Sequence, residues 1–252
     1  MAVDTAHHVI THIHADYADK KDTQCLQSIT LKLNNRLNNL GLSWENMAAD
    51  TGYSSGENYA FLEELDIKSY IPPHGTYKGG PEGFTYHKEG DYWLCRNNKR
   101  VTFRKITIDK NKNNNKKKVY LTRSSDCKGC PYKIKCTGKS PEKKITITYY
   151  TEEYERAIER VNSPNGRYMK TKRSSTVEPV FGTLTEFLAM RKVNTRGINQ
   201  ANKVMLMAGM AYNLKKYLNF RKGKALSMAR ESILSFLQKN LMFWLNLSLY
   251  NQ

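Results

Sequence analysis

The first apolar positions come in short clusters without helical spacing: Ala2 and Val3, then Val9, Ile10 and Ile13, which read as β-structure. From residue 22 the period lengthens. Leu26, Ile29, Leu31, Leu33, Leu37 and Leu40 give a rough helical stripe over residues 22–40, with Asp22 or Thr23 as N-cap. Residues 44–49 form a short apolar run that ends at Asp50. The turn Thr51-Gly52-Tyr53-Ser54-Ser55-Gly56 then opens a helix over residues 57–65, and residues 67–71 form a strand stopped by Pro72 and Pro73. Strand, helix, strand, helix, strand is an α/β order.

The pattern changes after Pro73. Strands are expected over residues 92–94, 101–108, 119–121 and 145–150, with no helical stripe between them, so residues 72–150 read as a β-rich insert. The Lys/Asn-rich run 112–118 reads as a loop. Residues 152–161 form a charged helix, broken by Asn162-Ser163-Pro164-Asn165-Gly166. Val177, Val180, Phe181, Leu184, Phe187 and Leu188 return to helical spacing, with Ser175 or Thr176 as cap and Pro179 in the first turn. A further helix is expected over 199–218, with Ala201, Met205, Ala208 and Tyr212 on one stripe. The Leu/Phe/Trp-rich segment 233–250 offers either packing for its own domain or a homodimer face. Four segments result: 1–71, the insert 72–150, a helical part 151–220 and an apolar tail 221–252.

Charge narrows the function. The 252 residues hold 41 Lys/Arg against 23 Asp/Glu, a formal charge of +18, which calls for a polyanionic partner such as nucleic acid. Residues 96–144 alone carry seventeen Lys/Arg against three acids. Arg104, Lys105, Lys116, Lys117 and Lys118 interleave there with Tyr and Phe, a surface suited to phosphates without sequence preference. The alternative is a solvated Lys/Asn loop. No apolar run of ~20 residues and no leader pattern is evident, so a cytoplasmic protein without a membrane partner is expected.

Three sets of side chains carry candidate chemistry. Asp50 closes an apolar strand before a Gly-containing turn, the place where open α/β sheets bind ligands and where a carboxylate can hold Mg²⁺. A turn-forming Asp is the plain alternative. Glu178 borders the apolar stripe of its helix and is either a metal ligand or a first-turn Glu favoured by the dipole. Cys95, Cys127, Cys130 and Cys136 include a Cys-x-x-Cys pair, the chelate spacing for a structural Zn²⁺; reduced thiols in a basic turn are the alternative. Cys25 reads as a core thiol, and His12 and His14 as structural.

Taken in order, Ala49-Asp50-Thr51-Gly52-Tyr53, Arg173 to Gly182, the stretch 191–197 and Ala211-Tyr212-Asn213-Leu214-Lys215-Lys216 resemble motifs of bacterial insertion-sequence DDE transposases. The resemblance runs from about residue 2 to residue 220 and includes the Cys-bearing insert. It implies an RNase H-like core, double-stranded DNA at element ends and target as partner, and two Asp and one Glu around Mg²⁺ or Mn²⁺. By the match, Asp50 is the second catalytic Asp and Glu178 the Glu, and Arg173 and Arg196 join the DNA contacts. Many relatives carry Arg and Lys where this chain has Ser174 and Thr185, and Arg173 stands one residue away as a substitute. The family's first Asp precedes the strand pair that residues 4–13 resemble, so this chain is expected to be a truncated and inactive part of a transposase. The alternative function is a non-catalytic DNA-binding remnant with a structural zinc site.

Overall fold

The computed structural model describes residues 1–75, 79–109 and 115–250, with side chains to residue 224 and at Ser227. In chain order the elements are β1 (Ala2–Val3), β2 (Ile10–His12), α1 (Asp22–Asn38), β3 (Asn46–Ala48), α2 (Gly56–Glu64) and β4 (Lys68–Tyr70). Strands β5 (Phe84–His87), β6 (Tyr92–Cys95), β7 (Arg100–Asp109) and β8 (Asn115–Leu121) follow. The one-turn helices α3 (Ser124–Cys127) and α4 (Lys133–Cys136) precede β9 (Lys144–Thr148), α5 (Thr151–Asn162), α6 (Pro164–Gly182) and α7 (Ile198–Tyr250). The result is a mixed α/β protein of two units, Ala18–Ser174 and Met1–Tyr17 with Ser175–Gln252.

In the unit Ala18–Ser174, β3 and β4 pair in parallel, Asn46 opposite Lys68 and Ala48 opposite Tyr70. Helices α1, α2 and α5 cover them around Leu26, Tyr59, Leu62, Ile67, Ile71 and Ala157. Each such side chain withdrawn from water contributes about 1.5–3 kcal/mol when large and apolar. Helix α1 buries Leu26, Thr30 and Leu33, while Leu31 and Leu40 of the expected stripe are exposed. Its N-cap is Lys21, neither Asp22 nor Thr23; the Lys21 N–H donates to Gln24 Oε1 at 2.9 Å. Helix α2 starts where Ser55 Oγ accepts the Asn58 N–H at 3.1 Å.

The insert is an antiparallel sheet of order β5-β6-β7-β8-β9 over Trp93, Val101, Tyr120 and Ile145. The sequence pattern does not reveal strand β5, the one-turn helices α3 and α4, or the extension of β8 back to Asn115. Lys116–Lys118 lie on a strand and not in a loop, because Ile108, Thr107 and Ile106 of β7 pair with them and override their weak strand propensity. The remainder of the expected loop, residues 112–114, lies outside the described residues. Between β5 and β6, Asp91 adopts φ 45° and accepts the hydroxyls of Tyr86 at 2.7 Å and Tyr120 at 2.6 Å.

Helix α5 ends at Asn162, one residue beyond the expected end, and α6 starts at once. Ser163 Oγ accepts the Gly166 N–H at 3.0 Å and Pro164 opens the first turn. The helix then runs through Ser175 and Thr176, so neither is a cap, and Pro179 lies inside it. A single π-helical segment, Thr183–Phe187, follows the proline.

The unit Met1–Tyr17 with Ser175–Gln252 packs β1, β2 and the end of α6 on α7 through Ile10, Ile13, Val180, Leu184, Ala208 and Tyr212. Ala208 and Tyr212 are two of the four positions of the expected α7 stripe. Asn213 of α7 clasps the backbone of Ile10: Oδ1 accepts its N–H at 2.9 Å and Nδ2 donates to its carbonyl at 2.8 Å. Asn202 treats Ala15 the same way, at 2.8 and 3.2 Å. Phe181 and Phe187, expected on a buried stripe, are exposed. Helix α7 runs without a break to Tyr250; the side chains expected to form a homodimer face lie outside the described residues.

Candidate functional site

Asp50 lies two residues beyond β3, at the carboxyl end of a parallel strand pair, as its sequence context predicts. It caps a 3₁₀ turn, Thr51–Tyr53: its Oδ1 accepts the Thr51 N–H at 2.6 Å and the Thr51 hydroxyl at 3.3 Å. Both bonds use one oxygen of an exposed carboxylate. The turn is held from behind by Asn58, 1% exposed, whose Nδ2 donates to Tyr53 O and Thr23 O, each at 2.9 Å. Ser54 Oγ accepts the His74 N–H at 2.9 Å and fixes the turn's other end.

A second carboxylate approaches this turn that the sequence reading assigned only to a helix cap. A Cβ on Gly52 would lie 2.7 Å from Asp22 Oδ2, so the turn passes close to the Asp22 carboxylate. The Tyr53 hydroxyl registers the surroundings: burial first, then the negative charges of Asp22, Cys25 and Asp50, push its pKa up. No local spacing links residues 22 and 52; the packing of α1 against the turn brings them together.

Glu178, in the other unit, stands in the middle of α6 and is exposed. The buried stripe there is Thr176, Val180 and Leu184; Val180 and Leu184 are on the expected stripe, whereas Phe181 and Phe187 of it are exposed. At about 100° per residue, Glu178 is roughly opposite Thr176 and Val180 and faces away from the stripe, not its border. Carboxylate oxygens suit a hard divalent cation. Among the described residues, however, no three His, Cys, Asp or Glu side chains form a set able to hold a metal ion.

The same holds for the four cysteines expected to hold zinc. Cys95, Cys127, Cys130 and Cys136 do line one cavity of about 310 Å³, but they do not form a ligand set. Cys127 Sγ lies 3.2 Å from Thr122 Oγ1, and Cys130 Sγ accepts Asn97 Nδ2 at 3.8 Å.

The expected phosphate contacts differ in their availability. Lys117 is engaged by Asp109 at 2.7 Å, and Lys118 stands 3.9 Å from Asp91 Oδ2. Arg104 and Lys105 are exposed and form no ion pair among the described residues. Lys116 and Lys118 lie 6.0 and 5.9 Å from the centre of the Tyr149 ring. Arg100 belongs to the same basic surface and lies 4.8 Å over the Tyr92 ring. Arg173 belongs to α6, and Arg196 is exposed before α7. Among the described residues no helix is long and apolar enough to cross a membrane.

The model of one family, described as Transposase DDE domain, matches residues 94–218. Neither a curated protein nor a solved structure matches the chain. The matched stretch includes Cys127, strands β7 to β9 of the basic sheet and Glu178, and excludes Asp50.

Proposed function

From the premise that residues 94–218 belong to the transposase DDE domain family, we propose that this chain binds double-stranded DNA and takes part in metal-dependent cleavage and strand transfer at the ends of an insertion sequence. The observation that carries the reading is the family match across the basic sheet and Glu178. Asp50 and Glu178 would be ligands for Mg²⁺ or Mn²⁺ in an RNase H-like core. When bound, the metal activates the attacking hydroxyl and stabilises the charge on the leaving oxygen. Asp50 supplies an exposed carboxylate on a turn fixed by Asn58 and Ser54, which limits the rearrangement needed on metal binding. Arg104, Lys105 and Lys116 would neutralise backbone phosphates, and Arg173 and Arg196 would add contacts along the same DNA.

The test uses a supercoiled plasmid carrying the DNA that flanks the coding sequence, with Mg²⁺ or Mn²⁺. Any metal-dependent nicking should be abolished by Asp50→Ala and by Glu178→Ala. Both variants should keep duplex binding in EDTA and lose Mn²⁺ affinity, read by electron paramagnetic resonance. Nicking that survives both substitutions would overturn the assignment of the two carboxylates. Duplex binding without cleavage in either metal would favour the non-catalytic DNA-binding reading.

A further inference from the structure

Strand β7 has an irregularity that decides which side chains share a face. Phe103 pairs with Tyr120 and Lys105 with Val119, so one extra residue of β7 is accommodated at Arg104. With strict alternation, Lys105 and Thr107 would follow Phe103 on its face. The bulge shifts the phase, and Ile106 and Ile108 follow instead, opposite Lys118 and Lys116. The next strand continues the grid, with Ile145 beside Tyr120 and Ile147 beside Lys118. Beyond them the Tyr149 N–H donates to Lys116 O at 3.0 Å.

The inner end of this face, at Tyr120 and Ile145, is buried in the sheet's core. The outer end is open. Ile106 is 49% exposed, Ile108 57% and Tyr149 41%, and the Lys116 and Lys118 ammonium groups lie within about 6 Å of the Tyr149 ring. An apolar surface with two cations in its midst repels a purely apolar partner and attracts one that joins flat apolar groups to negative charge. Duplex DNA does not meet that description well, because its bases are already stacked and it presents phosphates outward. An unpaired strand does, since every base has a free face and every linkage a charge. The distance from Phe103 to Ile108 along the strand, roughly 15 Å at ~3.3 Å per residue, accommodates two or three bases.

We propose that the outer face of β7, β8 and β9, with Tyr149, Ile106 and Ile108 as stacking surface and Lys116 and Lys118 as phosphate partners, binds an unpaired DNA segment. The proposal rests on the DNA-handling reading above and assigns a strand form to one part of the surface.

The test compares a fluorescent single-stranded oligonucleotide, the same strand as a duplex and an abasic strand of equal length, by anisotropy with the full chain at fixed salt. Tyr149→Ala is expected to weaken single-strand binding by about fivefold to a hundredfold, in keeping with the loss of one base stack. Duplex affinity should stay the same, and Tyr149→Phe should restore single-strand binding. Lys116→Gln should weaken both DNA forms. The abasic strand should bind the wild-type chain as weakly as the intact strand binds Tyr149→Ala. Equal loss for single strand and duplex in Tyr149→Ala, no loss in either, or full affinity for the abasic strand would overturn the platform while leaving duplex binding intact. Failure of the wild-type chain to bind either DNA would instead overturn the DNA-handling reading itself.

Discussion

Asn58 joins three segments through one side chain. It receives nothing from solvent, and its amide satisfies the carbonyls of Thr23 and Tyr53. Asn58→Ala removes one hydrogen bond from each of these carbonyls, so a loss of about 1–3 kcal/mol in urea-monitored stability is expected. Asp91 makes a different prediction, because its partners titrate. Burial opposes its charge, but the Tyr120 and Tyr86 hydroxyls and the Lys118 ammonium outweigh it and hold the carboxyl below its ordinary range. That stabilisation is present above the unfolded value of about 4 and fades as the pH falls through the lower folded value. Tyr86 shows the opposite sense: burial and the bond to Asp91 push it up to about 12. Its contribution is complete below the unfolded value of about 10 and is lost as the pH climbs toward the folded one. Melting curves from about pH 3 to about pH 11 should therefore show an acid decline that Asp91→Asn flattens and an alkaline decline that Tyr86→Phe flattens. Asn is the appropriate replacement because the positive φ of Asp91 tolerates it.

The junction between α5 and α6 is held by one cap and one close approach. A Cβ at Gly166 would stand 2.2 Å from Arg160 O and 2.3 Å from Val161 O, both backbone atoms with little room to retreat. Gly166→Ala should therefore destabilise the protein more than Ser163→Ala, which removes a cap worth about 1 kcal/mol. Denaturant melts of the two variants provide the comparison. The sequence announces this junction through Ser163-Pro164, and it announces the short strands around Asp50 through their apolar runs. It hides what depends on pairing. Lys116–Lys118 look like a loop until Ile106 and Ile108 lie opposite, and the bulge at Arg104 has no local signature. Likewise Thr176 joins Val180 and Leu184 on the buried stripe only when α6 is known to start well before it, and the stripe so completed leaves Glu178 on the opposite face. Asp22 could not be found from spacing either, since Gly52 meets it through tertiary packing alone.

For the whole molecule the +18 charge predicts salt-sensitive DNA binding, but the ion pairs make the cations unequal. Replacing Lys105 by Gln should reduce the slope of log affinity against log salt by about 0.9, the effect of one lost phosphate contact. Lys117→Gln should change it less, because Asp109 at 2.7 Å already neutralises that ammonium. Equal slopes for the two variants would show that Asp109 releases Lys117 when DNA binds. The Asn213 clasp on Ile10 bears on a different matter, the order of events during synthesis. Its two ends are 203 residues apart, whereas the unit Ala18–Ser174 is contiguous. At ribosomal rates of about 5–20 residues per second, the β2 backbone waits roughly ten to forty seconds for the amide that will hold it. The central stretch can fold in that interval, while the first strand leaves the ribosome as an open edge. A chaperone, or a rare-codon pause placed before rather than after the α7 coding region, would therefore act on the yield of folded protein through the first seventeen residues.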